Sequence, residues 1–382
     1  ENIKYPLLVR LSYDTTSKKG VSILSTFSPY FVKSLIRKIF PVLRKTQQVN
    51  LAFSVIGSIK GRSAILSVMA RSIPGARKHK HRLKRLWRFI SNYRVKPERL
   101  SCLWIAWCIK IFVPWDYVPV ALDWTSLPGN IPCLMATIPF HGRAIPLLWQ
   151  IVPFGSLKDS QNRIEERLVA QLVRLIPADR RIVLVADRGF GRATFVQFLL
   201  RQHLLFVLRV RADVIITTNK GKKRNVRRIR LQPDTPRWFP QITYRNDGVV
   251  SGINLCTVVA KDSDDPWILV TNLRKPTSTI ARYASRFQIE EWFRDMKHEL
   301  GIADIRTKDL KRIRRMVFLS CVSYGIALLI GTLAQRFSTW RDQLVTGGTA
   351  CASRIWFALR IIEYHLAPSF FWYRVWRKGK GT

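Results

Sequence analysis

Residues 181–192 read RIVLVADRGFGR, an unbroken apolar run that ends at Asp187 and passes into a glycine-bearing turn. A short continuous apolar run bounded by turn residues is the pattern of a fully buried strand. Upstream, residues 164–176 (IEERLVAQLVRLI) place Ile164, Leu168, Leu172 and Ile176 on one stripe at helical spacing and stop before Pro177. Ahead of that helix, VPVALDW (118–124), IPCLMATIPF (131–140) and AIPLLWQIV (144–152) read as three strands, the last two forming a hairpin about His141-Gly142-Arg143. Downstream, ATFVQFLLRQ from Ala193 reads as a helix and LLFVLRVR from Leu204 as another strand. The order βββαβαβ predicts a mixed sheet covered by helices.

That order is the layout of an α/β, ribonuclease-H-like core, whose first part spans 113–211. Residues 212–278 interrupt it with alternating apolar segments, turn residues and a basic run at 220–230, which predicts a β-rich insertion. After Pro276 the chain turns helical through RYASRFQIEEWFRDMKHEL (282–300), so 279–340 is expected to complete the core. Residues 1–112 show helical stripes broken near Pro41, Pro74 and Pro97, and predict a separate helical, basic DNA-binding module. A basic aromatic C-terminal region, 341–382, closes the chain with WYRVWRKGKGT.

With 382 residues, 47% hydrophobic and 13 Trp, the chain has the material for a substantial core and does not read as a disordered basic tail. Yet 65 Lys+Arg stand against 24 Asp+Glu, a formal charge of +41 that repels itself unless a polyanion neutralises it. Nucleic acid is the expected partner, with an anionic membrane surface the rival. The segment MVFLSCVSYGIALLIGTLA (316–334) is long enough to span a bilayer, but it stands alone and carries Ser320, Ser323, Tyr324 and Thr332. A helix buried inside a large domain, with no membrane partner, is expected. Six cysteines without zinc-finger spacing read as reduced core residues, and no secretory signal is visible from Glu1 onward, so a cytoplasmic, nucleoid-associated protein is expected.

Asp123 closes an apolar strand in ALDWTS, and Asp187 closes another. If those strands run parallel, both carboxylates leave the same end of a sheet, although either alone could equally be a turn former or helix cap. A third acid comes from the helix holding Glu290 and Glu291. Residues seven apart differ by only about 20° on a helix. Glu290 therefore shares a face with Tyr283 and Lys297, with Arg286 a turn before and Arg294 a turn after, whereas Glu291 shares one with Ala284, Phe287 and His298. A carboxylate among a phenol and cations suits a phosphate-handling site, so the assignment goes to Glu290. In the N-terminal module, RKHKHRLKRLWR (77–88) supplies Arg77, Lys78, Lys80, Arg82, Lys84 and Arg85 as candidate phosphate contacts.

Tyr283-x2-Arg286-x3-Glu290-x6-Lys297 resembles the Y-R-E-K signature of bacterial insertion-sequence transposases of the insertion-sequence-4 group. Asp123 in LDWT resembles that family's first catalytic aspartate, and Asp187 in ADRGFGR its second. The 102 residues between Asp187 and Glu290 agree with a group that carries a β-strand insertion there. The resemblance covers about 115–335. It implies a DDE transposase in which Asp123, Asp187 and Glu290 are catalytic residues and ligands of two Mg²⁺ or Mn²⁺ ions per active site, a chemistry that three hard oxygen donors would also suggest. Water would cut a phosphodiester at the element end, and the freed 3′-hydroxyl would then attack target DNA.

By the same resemblance Tyr283, Arg286 and Lys297 bind DNA phosphate near the cut; helical phase adds Arg294 as a candidate contact, and Arg188, beside Asp187, could hold phosphate or merely solvate its loop. Trp267 resembles the family's aromatic that stacks on a flipped base during hairpin formation, set against simple packing in the core. Arg192 could hold phosphate or merely solvate its loop, and His141 is assigned nothing. The implied partners are double-stranded DNA, as terminal inverted repeats and as target, and a second copy of the chain in a homodimer. A structure-selective nuclease on the same fold, or an inactive DNA-binding descendant, are the competing readings.

Overall fold

The computed structural model describes residues 29–157, 160–229, 234–259, 265–334, 354–355 and 358–360. The first 28 residues, Arg230 of the basic run and nearly all of the C-terminal region 341–382 lie outside them. The chain divides into two compact units, Cys108–Arg294 and a second made of Glu1–Trp107 with Asp295–Thr382. The sequence reading grouped 279–340 with the catalytic core, whereas in this division the chain from Asp295 onward groups with the N-terminal helices.

The first unit is built on a ten-stranded sheet. Strands β1 (Tyr117–Leu127), β2 (Ile131–Phe140) and β3 (Arg143–Ile151) form an antiparallel meander, followed by helix α6 (Gln161–Leu175), β4 (Arg181–Ala186), α7 (Ala193–Arg201) and β5 (Leu205–Arg209). This is the expected βββαβαβ order. The turn between β2 and β3 uses His141 at φ 48° and Gly142 at φ 79°, the left-handed pair that a tight hairpin requires. Strand β4 lies between β1 and β5 and is parallel to both.

The insertion supplies β6 (Ile215–Thr217), β7 (Lys223–Asn225), β8 (Arg237–Arg245), β9 (Val249–Val258) and β10 (Trp267–Thr271). They do not form a sheet of their own. β10 pairs antiparallel with β5, and the full order is β3-β2-β1-β4-β5-β10-β9-β8-β6-β7. The far edge is the short, lysine-bearing β7, a device that discourages edge-to-edge pairing. The tip of the β8–β9 hairpin is tied to the start of α7, where Asp247 accepts from the Ala193 amide at 2.6 Å and the Thr194 hydroxyl at 2.7 Å. Beside it, the Tyr244 hydroxyl donates to the Gly191 carbonyl at 2.5 Å. Gly191 itself is hemmed in: a Cβ there would meet the Arg209 carbonyl oxygen at 2.8 Å.

In the second unit lie helices α1 (Pro29–Ile39), α2 (Lys45–Gly61), α3 (Leu66–Ser72) and α4 (His79–Ile90), and most of α5 (Pro97–Phe112), which runs on into the first unit. Helix α10 (Leu310–Ala334) joins them. It is long and apolar enough to cross a membrane by composition, but its apolar window is entirely buried within the protein. Trp104 packs so closely on it that a Cβ at Gly325 would meet the indole at 2.6 Å. Buried Arg315 donates to the carbonyls of Ile90 and Val95, both at 3.0 Å, tying α10 to the C-terminal end of α4. Of the cysteines expected in the core, Cys108, Cys133, Cys256 and Cys321 are buried, Cys102 on α5 is exposed, and Cys351 lies outside the described residues.

Candidate active site

Asp123, which lies inside β1 and does not close it as expected, and Asp187, just past β4, come to the same end of the sheet because the two strands are parallel neighbours whose register ends Leu122 opposite Ala186, one residue before each acid. Asp187 closes a three-residue 3₁₀ turn, Arg188–Phe190, by accepting from the Gly189 amide at 2.9 Å. Asp123 accepts from its neighbour's amide, Trp124 N, at 2.8 Å.

The third acid arrives from two helices rather than the single one expected: α8 (Pro276–Ser285) and α9 (Gln288–His298). The chain tightens between them through three-residue hydrogen bonds, Arg286 N to Tyr283 O and Ile289 N to Arg286 O, so the Tyr283–Arg286–Glu290 face survives the break. The β2–β3 turn braces α9, the Gly142 amide donating to the Gln288 side chain at 3.1 Å and Arg143 pairing with Glu291 at 3.1 Å. Arg294 also pairs with Glu291, at 2.6 Å, and so lies beside the other glutamate from the one expected. With Glu291 taken up by two arginines, Glu290 is the acid that faces the aspartates.

Arg286 joins them. Its guanidinium, 5% exposed, donates to Asp123 at 3.3 Å and to Glu290 at 2.7 Å. Burial pushes the Asp123 carboxyl up; Arg286 and the Trp124 amide pull it back, Asp187 and Glu290 push it further, and it is held at about 6. Burial would lower the Arg286 guanidinium, but Tyr283, Asp123 and Glu290 outweigh it and keep it cationic. Asp123 thus senses both other carboxylates, and Arg286 bridges it to Glu290. In this arrangement no three His, Cys, Asp or Glu side chains among the described residues are gathered closely enough to hold a metal ion. The donor chemistry nevertheless fits a hard divalent cation, since the acids supply only carboxylate oxygens.

Tyr283 is completely buried, its ring 4.9 Å from Trp267 in an edge-to-face contact and 5.7 Å from the Arg286 guanidinium. Trp267, the first residue of β10, is half-buried and stacks on exposed Phe287 at 5.8 Å. Arg188 is largely exposed, 3.9 Å from Asp265, and Lys297 is exposed in the last turn of α9. In the helical unit, Arg77, Lys78, Lys80 and Lys84 are exposed, whereas two of the six candidates turn inward. Arg82 donates to the carbonyls of Ile73, Gly75 and Arg77, and Arg85 donates to Asn50 and lies 4.2 Å over the Phe53 ring.

The sequence reading passed over Glu165, which is fully buried on α6, and over the inward turn of Arg192, which pairs with it at 2.5 Å instead of solvating the loop. The signal for Glu165 was its spacing: three residues before Leu168 and seven before Leu172, on the stripe that α6 buries.

No curated protein matches the chain. A family model described as the transposase DDE domain matches residues 114–326, more than half of the sequence, from the start of the sheet into α10. Parallel strands that deliver two aspartates to one edge, a helix that brings a glutamate to them and this match agree: the chain belongs to the transposase DDE domain family.

Proposed function

We propose that the chain is the transposase of a bacterial insertion sequence of the insertion-sequence-4 group, binding the ends of its element, cutting them and joining the 3′-hydroxyls to target DNA. The observation that carries this is the delivery of Asp123 and Asp187 to one end of adjacent parallel strands, with Arg286 bridging Asp123 to Glu290. Asp123, Asp187 and Glu290 would hold two Mg²⁺ or Mn²⁺ ions, whose chemistry is to activate the attacking oxygen and stabilise the leaving one.

Arg286 holds two of the acids while the site is at rest and is placed to pass to a DNA phosphate when they are otherwise engaged, a charge-assisted contact that orients the strand. Tyr283, buried beneath it, supports Arg286 and is no nucleophile for a covalent DNA intermediate. Exposed Arg188 and Lys297 are further phosphate contacts in this reading, and Arg294 reaches phosphate only by loosening its hold on Glu291. On α4 and the residue pair before it, Arg77, Lys78, Lys80 and Lys84 take phosphate, with Arg82 and Arg85 shaping the segment that presents them.

Purified chain and a labelled duplex carrying the element end test the reading. Wild type should nick the duplex with Mg²⁺ and join it to a plasmid. Asp123→Asn, Asp187→Asn and Glu290→Gln should bind but not cut. Undiminished cutting by any of the three refutes the assignment, and cutting without joining makes the protein a nuclease. Excision through a hairpin is the finer step. It asks Trp267 to stack on an extruded base, worth about 1–3 kcal/mol, and a pre-nicked end would then yield a hairpin band on a denaturing gel. Two ends must be held together, so a homodimer on DNA is the expected assembly, acting at the nucleoid.

A further inference from the structure

Among the described residues of the sheet-bearing unit, Glu165 is the most completely buried acid, and the contacts around it follow a pattern. Its Oε1 accepts from the Trp124 indole at 2.9 Å and from the Gln161 amide at 2.9 Å, and its Oε2 accepts from Arg192 at 2.5 Å. Trp124 is the residue after Asp123, and its backbone amide donates to Asp123. Arg192 donates on to the Gly189 carbonyl at 2.9 Å, and the Gly189 amide donates to Asp187. One buried carboxylate therefore links the segment leaving each aspartate to the other.

We infer that Glu165 is a positioning residue that fixes the separation and aim of the Asp123 and Asp187 carboxylates, so that they meet a divalent cation as a preformed pair; this rests on the proposed assignment of both as metal ligands. The parallel ladder sets the two backbones side by side, but it ends at Leu122 and Ala186, one residue short of both acids. Beyond that point β1 stays paired with β2 through Leu127, but no strand pairing joins it to the segment after β4, and a side-chain network is what links the two. Glu165 is suited to this because it accepts from both sides at once and Arg192 neutralises it in place. The acid touches no reacting atom in this role. It acts through Trp124 and Arg192.

The test compares wild type, Trp124→Phe, Glu165→Gln, Arg192→Gln and the double variant Glu165→Gln/Arg192→Gln of the full chain. Mn²⁺ binding is measured by calorimetry without DNA, and the thermal midpoint is followed alongside. Outer groups that orient metal ligands typically alter affinity by about 10–100-fold, and Glu165→Gln should weaken Mn²⁺ binding within that range. Trp124→Phe, which deletes only the indole donor, should weaken it in the same direction. Each charge variant also strands a buried partner and lowers the midpoint; the double variant removes both charges and should recover the midpoint. The decisive readout is its Mn²⁺ affinity. If that stays weakened at least tenfold while stability returns, Glu165 positions the site; if it returns with the midpoint, Glu165 is only structural and the inference fails. Wild-type affinity in Glu165→Gln also overturns it. Asp123→Asn is the control for the underlying reading: if it binds Mn²⁺ as tightly as wild type, the metal assignment falls and the role of Glu165 falls with it, whatever the other variants do.

Discussion

Replacing Asp123 with asparagine should make the metal-free protein more stable while abolishing its chemistry. The carboxyl is raised to about 6 in the fold, from an ordinary value of 3.8, by burial and by the proximity of Asp187 and Glu290. For an acid raised in this way the sign is unfavourable at neutral pH. Below the unfolded value both states hold the proton and nothing is lost; as pH rises toward the folded value the unfolded chain releases the proton first, and stability falls until the penalty is complete. A rise of about two units corresponds to roughly 3 kcal/mol above pH 6. The side chain is 23% exposed, and asparagine turns part of its amide toward Arg286, so about 1–2 kcal/mol of net gain is expected. Thermal or urea melts in EDTA at half-unit steps from pH 5 to 8 would read it, since each kcal/mol moves the midpoint of a domain this size by about 2–4 °C. The gain should grow with pH up to about 6.5. Millimolar Mg²⁺ should then close the gap by stabilising wild type alone. A pH-independent gain, or a loss, would refute the view that the Asp123 carboxylate is held against the cost of its burial.

Further outcomes concern other parts of the molecule. Gly191→Ala should cost about 1–3 kcal/mol in urea unfolding, because the new Cβ meets the Arg209 carbonyl; a neutral result would show that the loop after Asp187 yields easily. Arg315→Met should destabilise by about 2–4 kcal/mol, the carbonyls of Ile90 and Val95 losing a buried cationic donor, and hydrogen exchange at the end of α4 should speed up with it. Lys80→Ala and Lys84→Ala should each flatten the slope of log affinity for duplex DNA against log salt by about 0.9 without moving the melting midpoint. Arg85→Ala should do the reverse, lowering the midpoint through loss of Asn50 and Phe53 contacts; equal effects from all three would mean that their burial does not separate their roles.

The core order was legible because each strand is an apolar run cut off by turn residues, and because Pro177 and the His141-Gly142 pair punctuate it unmistakably. Glu290 was separable from Glu291 by helical phase, even though the helix was taken to be continuous. The break at Arg286–Phe287 has no proline or glycine to announce it; it arises from tightened hydrogen bonding as each short helix buries its own face, Tyr283 on one and Ile289 on the other. Charge misled at Arg82, Arg85 and Glu165, since a sequence displays a formal charge but not which long stem is packed against a carbonyl or an indole. The docking of β10 beside β5 was equally hidden, being a pairing between segments that local propensity does not encode.

That docking has a consequence for how much chain can lie between the second and third acids. Because β10 returns to pair with β5, β4's own neighbour, the distance the polypeptide must finally bridge is a few strand widths, however many residues are spent on the excursion. Lengthening the exposed turn between β6 and β7 carries an entropic cost that grows only logarithmically. The excursion is thus a place where the protein can be extended, trimmed or fused to cargo while the anchor strand keeps the return address.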